Sequence, residues 1–110
     1  MKLIVDIDGT ICHNTHGDYE RAMPLRDRIA HLNALFDSGH EVHYWTARGS
    51  ATGKDWSALT RLQLQEWGVR YSSLRLGKPS YDIWVDDKAT HADTFFAQAG
   101  LGLPGAEPPR

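Results

Sequence analysis

The sequence predicts a single α/β domain built on a parallel sheet, and three features support that class. Short apolar runs are typical of buried parallel strands. The longer segments between them have apolar residues at helical spacing. Strands that alternate with helices are joined by right-handed crossovers, which gives a parallel sheet with helices on both faces. The 110 residues are enough for one domain and too few for two.

The first half of the chain holds two predicted strands and one predicted helix. Residues 3–5 form a short, wholly apolar run, and residues 42–45 are the second predicted strand. Pro24 suits the first turn of the helix between them, and Gly39 stands where a C-terminal cap is expected. The apolar residues of this helix lie on one stripe: Leu25, Ile29, Leu32, Leu35 and Phe36.

The second half repeats the pattern of strand and helix. A second helix is predicted over residues 55–67, ended by Gly68. A third strand falls within residues 69–76, and residues 83–85 form a fourth apolar run. A last helix is predicted over residues 90–99.

Composition narrows the classes of protein that the chain can belong to. Lys plus Arg is 12 and Asp plus Glu is 14, so the net charge of −2 argues against a nucleic-acid partner held by bulk charge. The single Cys excludes an internal disulfide and fits a reducing compartment. No apolar run approaches the ~18 residues of a membrane span, so we expect a cytoplasmic protein. The domain is predicted over residues 1–100, with a Gly- and Pro-rich tail over 101–110.

Acidic residues follow the first and fourth predicted strands. Asp6 and Asp8 come after the first strand, and Asp86 and Asp87 come after residues 83–85. Because the carboxyl ends of parallel strands share one edge of a sheet, these acids are expected to lie together, where they repel unless a cation is bound. Oxygen ligands of this kind suit Mg²⁺, which keeps waters for a phosphate.

The second and third strands end in residues that suit a phosphate. Thr46 follows the second strand, and Lys78, which follows the third, adds a positive charge for an anionic substrate. A carboxylate can attack phosphorus and form an aspartyl-phosphate. A second carboxylate two residues on can protonate the leaving oxygen and then activate water. The strand ends therefore supply every group that phosphate ester hydrolysis needs.

Four segments resemble the signatures of the haloacid dehalogenase-like (HAD) phosphatase superfamily. Asp6-Ile7-Asp8-Gly9-Thr10 is similar to the first signature, and Thr46, Lys78 and Asp86-Asp87 match the second, third and fourth in order and spacing. The stretches 44–49, 67–69, 77–82 and 86–89 resemble the small branch without a cap domain, whose members include capsular polysaccharide biosynthesis phosphatases. The resemblance implies a three-layer α/β/α Rossmann-like fold with sheet order about 4-1-2-3.

The resemblance also implies roles for individual residues. Asp6 would be the nucleophile and a Mg²⁺ ligand, and Asp8 would be the general acid and base, with its main-chain carbonyl on the metal. Thr46 and Lys78 would hold the phosphoryl group. The remaining metal ligands would be Asp86 and Asp87, and which of the two binds directly is left open.

The sequence allows three roles for Arg48. It follows Thr46 by two residues, so it is assigned to substrate binding at the leaving group. Pairing with a carboxylate of the site, or a surface salt bridge, are the alternatives.

No cap domain fits into the chain. Thr10 and Pro24 have 13 residues between them, and Thr46 and Lys78 have 31, which one helix and one strand already use. An open site must be closed by a large substrate or by a neighbouring subunit of a homo-oligomer. The loop over residues 12–22 is the local material that can flank the leaving group.

These observations predict a Mg²⁺-dependent phosphatase that acts on a small phosphorylated substrate, such as a sugar phosphate. Two alternatives stay open. A polynucleotide end-phosphatase would use the open site, although the charge counts against it. A non-catalytic binding protein would keep the same fold without the chemistry.

Overall fold

A computed structural model describes residues 1–102 of the chain. Its elements, in chain order, are β1 (Lys2–Val5), a 3₁₀ helix (Tyr19–Arg21), α1 (Arg26–Asp37), β2 (Glu41–Trp45), α2 (Ser57–Glu66), β3 (Ser73–Arg75) and α3 (Ala92–Gln98). The three helices and the first three strands that the sequence predicts are confirmed. Most of the predicted tail lies outside the described residues. Within residues 1–102, no helix combines the length and apolar character needed to cross a membrane.

The three strands form one parallel sheet in the order β1-β2-β3. Leu3 lies opposite Val42, and Val5 lies opposite Tyr44 in the register of β1 and β2. In the register of β2 and β3, Tyr44 lies opposite Leu74. Because both strand pairs are parallel, all three carboxyl ends lie at the same edge of the sheet. The α/β class is therefore confirmed.

Glycines end the first two helices as the sequence predicts. Gly39 follows α1 with φ of +97°, and Gly68 follows α2 with φ of +69°. Both lie in the left-handed region that favours glycine. The amide of Gly39 donates to the Phe36 carbonyl at 3.0 Å, and that of Gly68 donates to the Gln65 carbonyl at 3.1 Å. These bonds turn the chain back toward the sheet for β2 and β3.

The hydrophobic core is a single cluster on one face of the sheet. Alternate side chains of a strand point to opposite faces. On the inward face Val5, Val42 and Tyr44 are fully or nearly fully buried, and Leu3 is partly buried against them. Residues of all three helices join that same set. The cluster includes Val5, Val42 and Tyr44 from the strands, and Ile29, Leu32, Leu64 and Phe96 from the helices.

The fourth predicted strand is not formed in the described residues. Residues 83–85 have no strand partner, Ile83 is 80% exposed and Val85 is 91% exposed. The ring of Trp84 packs instead on that of Trp45, with centroids 6.1 Å apart, and on that of Tyr81 at 5.1 Å. These ring contacts place the segment near the end of β2. The sheet of the described residues has the order β1-β2-β3, and the predicted fourth position beside β1 is not shown. The predicted second helical layer is likewise not shown.

Candidate active site

A tight loop after β1 presents two carboxylates at the carboxyl edge of the sheet. The Ile7 carbonyl accepts the amides of Thr10 at 3.0 Å and Ile11 at 2.9 Å, and the Gly9 amide donates to the Cys12 carbonyl at 2.9 Å. Ile7, Ile11 and Cys12 are fully buried, which fixes the loop to the core. The acids on either side of Ile7 therefore lie on a rigid support.

Asp6 is half-buried and has two polar partners. The Thr10 hydroxyl donates to one carboxylate oxygen, with Oγ1 and Oδ2 3.3 Å apart. The Lys78 Nζ lies 3.5 Å from the other oxygen, Oδ1. Burial raises the pKa of Asp6 above its usual value, and the positive charge of Lys78 opposes that shift. A carboxylate whose ionised form is poorly hydrated, beside an ammonium group, is suited to nucleophilic attack on an anionic ester.

Asp8 forms a two-pronged ion pair with Arg48. The guanidinium Nε donates to Oδ2 at 2.9 Å, and Nη2 donates to Oδ1 at 3.0 Å. The Cys12 thiol also lies 3.5 Å from Oδ1 of Asp8. Burial, together with the negative charge of Asp8, raises the pKa of Cys12 to about 12. The structure therefore has Arg48 paired with a site carboxylate, which was one of the alternatives for this residue.

Thr46 and Lys78 are brought to the same edge by the ends of β2 and β3. The Thr46 amide donates to the Arg75 carbonyl at 2.9 Å, and the Lys78 amide donates to the Thr46 carbonyl at 3.1 Å. The Thr46 hydroxyl oxygen accepts the Arg48 amide at 3.1 Å, which leaves its proton free to be donated. The structure thus brings together Asp6, Asp8, Thr46, Arg48 and Lys78.

Gly49 allows the sharp turn that follows Arg48. Its φ is +83°, and its carbonyl accepts the Gly53 amide at 2.7 Å, which closes the turn. A Cβ at this position would collide with the Lys54 carbonyl oxygen and press on the Trp56 ring. Only glycine fits both requirements, so the position after Arg48 is dictated by the backbone.

Asp86 and Asp87 are not brought to this site. Residues 81–90 are all exposed, and Asp86 accepts the amide of Lys88 at 2.7 Å within its own loop. That local bond lowers the pKa of Asp86. Within residues 1–102, no group of three or more His, Cys, Asp or Glu side chains is placed to hold a metal ion.

Two residues that support the site, Thr60 and Gln63, were not predicted from the sequence, and a third, Tyr19, lies in the loop that was predicted to flank the leaving group. Arg48 Nη1 donates to the Thr60 hydroxyl at 3.2 Å and to the Gln63 side-chain oxygen at 2.6 Å. Its guanidinium carbon also lies 4.7 Å from the centre of the Tyr19 ring. The available signal was a pair of polar residues at i and i+3 on α2, beside the buried Leu64.

Comparison with known proteins supports the architecture. A crystal structure of a structural-genomics target from Vibrio cholerae superposes with a TM-score of 0.77 and 29% sequence identity. The match covers 94% of this chain and 90% of that chain. No family model matches the chain, and no curated protein matches it.

Proposed function

We propose that this chain is a Mg²⁺-dependent phosphomonoesterase of the HAD type that works through an aspartyl-phosphate. The observation that carries the proposal is the meeting of Asp6, Asp8 and Lys78 where the strands end. Asp6 is ionisable, half-buried and 3.5 Å from a lysine ammonium, and a second acid follows two residues later on the same loop. This arrangement supplies a nucleophile, a proton donor and a counter-charge for a phosphoryl group.

The two steps of the reaction divide between the two acids. An oxygen of Asp6 attacks phosphorus, the bond from phosphorus to the leaving oxygen breaks, and Asp8 gives that oxygen its proton. Asp8 then takes a proton from water, whose oxygen attacks phosphorus and releases inorganic phosphate and Asp6. Lys78 and the Thr46 hydroxyl would hold the phosphoryl oxygens through both steps.

The donor atoms at the site suit Mg²⁺. Asp6 has carboxylate oxygens with one hydrogen bond from Thr10. The side chain of Asp8 is occupied by Arg48, so its contribution would be the main-chain carbonyl. Hard oxygen ligands of this kind select Mg²⁺ over softer metals. The bound ion would offset the charges of the phosphoryl group and of Asp6.

The remaining ligands would come from the exposed segment over residues 81–90. The outer edge of β1 is free of a partner strand within the described residues, and Ile4 on that strand is 59% exposed. We propose that residues 83–85 pair with this edge, which would give the order 4-1-2-3 and bring Asp86 and Asp87 to Asp6. Four carboxylates at one edge repel each other, so this rearrangement would require the cation.

The open edge leaves the cover of the site to a large substrate or to a neighbouring subunit. The gaps that could hold a cap domain contain only the 3₁₀ helix Tyr19–Arg21 and the elements α2 and β3. We propose a small phosphorylated metabolite, such as a sugar phosphate, with a second copy of the chain as the cover of the site.

The test is hydrolysis of nitrophenyl phosphate with Mg²⁺ and with excess chelator. The Asp6→Asn variant should lose about a thousandfold or more of the turnover, because amide oxygen is a poor nucleophile. Asp37→Asn is the matched control, since it changes an aspartate in an exposed pair with Arg70. Turnover that survives in Asp6→Asn, or that persists in chelator, would contradict the mechanism. A sugar phosphate and an oligonucleotide with a terminal phosphate are then compared as substrates.

A further inference from the structure

The guanidinium of Arg48 is completely buried and forms four hydrogen bonds to side chains. Two go to the two oxygens of Asp8, at 2.9 and 3.0 Å. The other two go to α2, where Thr60 and Gln63 accept from Nη1 at 3.2 and 2.6 Å. The side chain of Arg48 has no exposed surface. A buried arginine with this many fixed partners has one accessible orientation.

The partners of Arg48 on α2 are themselves held in place. The Thr60 hydroxyl donates to the Trp56 carbonyl at 2.8 Å. The Gln63 side-chain amide donates to the Tyr19 carbonyl at 2.6 Å, and the Tyr19 ring covers the guanidinium at 4.7 Å. The network therefore joins the loop that carries Asp8 to α2 and to the segment around Tyr19.

We infer that Arg48 is a positioning residue that fixes the orientation of the Asp8 carboxyl group for proton transfer, and that Thr60 and Gln63 fix Arg48 in turn. The inference rests on the proposed phosphatase function. A two-pronged pair stops rotation of the carboxyl group. The Cys12 thiol lies 3.5 Å from Oδ1 as well, so the lone pair left outside the fork for proton transfer is the one on Oδ2. The proton that Asp8 gives to the leaving oxygen, and later takes from water, would be held at that outer position.

This role differs from the substrate-binding role that the sequence suggested for Arg48. A residue that binds the leaving group directly must have donors that face the substrate. The donors of Arg48 are instead directed at Asp8 and at α2, and the ring of Tyr19 packs on the guanidinium. Its effect on the reaction would therefore pass through Asp8.

Leaving groups of different acidity distinguish positioning of an acid from a general structural role. A dinitrophenolate leaves without needing a proton, whereas the oxygen of ethyl phosphate must be protonated as the bond breaks. The measurement is the single-turnover rate of phosphoryl transfer to Asp6 for each ester, with Mg²⁺ present. Single turnover separates this step from the later attack by water, which also uses Asp8.

Arg48→Lys keeps the charge and loses the fork. We expect the transfer rate from ethyl phosphate to fall about a hundredfold, as for a misplaced catalytic group, and the rate from dinitrophenyl phosphate to fall less than about threefold. Gln63→Leu should show the same selectivity with a smaller loss. Arg70→Lys is the matched control, because Arg70 makes a similar fork to Asp37 on the exposed surface. It should change neither rate.

A double-mutant cycle completes the test. If Arg48 acts through Asp8, then Arg48→Lys should add no further loss in the Asp8→Asn background. Equal losses for both esters, or additive losses in the cycle, would overturn the positioning role while leaving the phosphatase function intact. Absence of phosphoryl transfer in the wild type overturns the proposed function itself. Should Arg48→Lys fail to fold, Gln63→Leu and Thr60→Val give the same comparison.

Discussion

The loop after β1 carries Asp6 and Asp8, and the segment over residues 81–90 carries the adjacent pair Asp86 and Asp87, but the two regions hold these acids in opposite ways. Asp6 accepts a hydrogen bond from Thr10 and lies beside the ammonium group of Lys78, and Asp8 forms an ion pair with Arg48. Residues 81–90 are exposed throughout, and Asp86 is bonded within its own loop by the Lys88 amide.

This difference shows which part of the candidate site the chain builds from its own packing. The β1 loop is fixed by fully buried residues and by local main-chain bonds, so its acids have defined positions. The 81–90 segment is exposed throughout, and under the proposed function its acids would reach the site only with a bound cation. The comparison yields three predictions, from the largest expected effect to the smallest.

The first prediction compares one isoleucine from each region. Ile7→Ala removes a fully buried side chain beside both acids and should lower the free energy of unfolding by about 3 kcal/mol. Ile83→Ala removes a side chain that is 80% exposed and should change it by less than about 0.5 kcal/mol. Urea denaturation of both variants measures the difference. Similar losses would mean that residue 83 is packed in the molecule as it exists in solution.

The second prediction concerns the response of the exposed segment to Mg²⁺. Trypsin should cut after Lys88 in chelator, because that residue lies in an exposed, irregular stretch. If Asp86 or Asp87 binds the ion, cleavage should slow about tenfold at a Mg²⁺ concentration ten times the dissociation constant. Mass spectrometry of the fragments gives the rate at this site. The Asp86→Asn, Asp87→Asn double variant should show no slowing, and protection that survives in it would remove these residues from the metal site.

The third prediction, with the smallest expected effect, compares the contributions to stability of two acids whose pKa is lowered for different reasons. Asp93 on α3 is bonded at 2.7 Å by the buried Arg28 of α1, which lowers its pKa, whereas the pKa of Asp86 is lowered mainly by the Lys88 amide. A carboxyl group whose pKa is lowered by folding stabilises the folded protein at pH values above its unfolded pKa, which is near 3.8. This stabilisation is lost as the pH falls through the folded pKa.

Asp93→Asn should therefore lower the Tm at pH 7, and the difference from wild type should disappear in acid. Asp86→Asn should have a smaller effect, since an aspartate and an amide two residues on can bond in the unfolded chain as well. Thermal unfolding across pH gives both comparisons. A pH-independent loss in Asp93→Asn would assign the effect of this residue to packing.

The sequence predicted the elements whose order is set by local patterns. The strands β1 to β3 and the three helices follow from apolar periodicity and from caps such as Gly39 and Gly68. It also placed Asp6, Thr46 and Lys78 at one edge, because parallel strands align their carboxyl ends.

Two features could not be predicted from the sequence because they depend on long-range contacts. The partnership of Arg48 with Gln63 links residues on a loop and a helix, and no periodicity signals which buried charge a polar helix residue will meet. The apolar run over residues 83–85 has the composition of a strand, but composition does not say which contact the run makes. Here Trp84 packs on Trp45, and the run does not pair with the outer edge of β1.

The single thiol of the chain offers a way to time the opening of the β1 loop. Cys12 is fully buried, lies against Asp8, and has a pKa raised to about 12, so an external reagent can modify it only after the loop opens. When the loop closes faster than the reagent reacts, the modification rate relative to that of a free thiol reports the fraction of time spent open. A phosphate analogue bound at Asp6 would lengthen the closed intervals, so occupancy of the site could be followed through sulfur chemistry without any turnover.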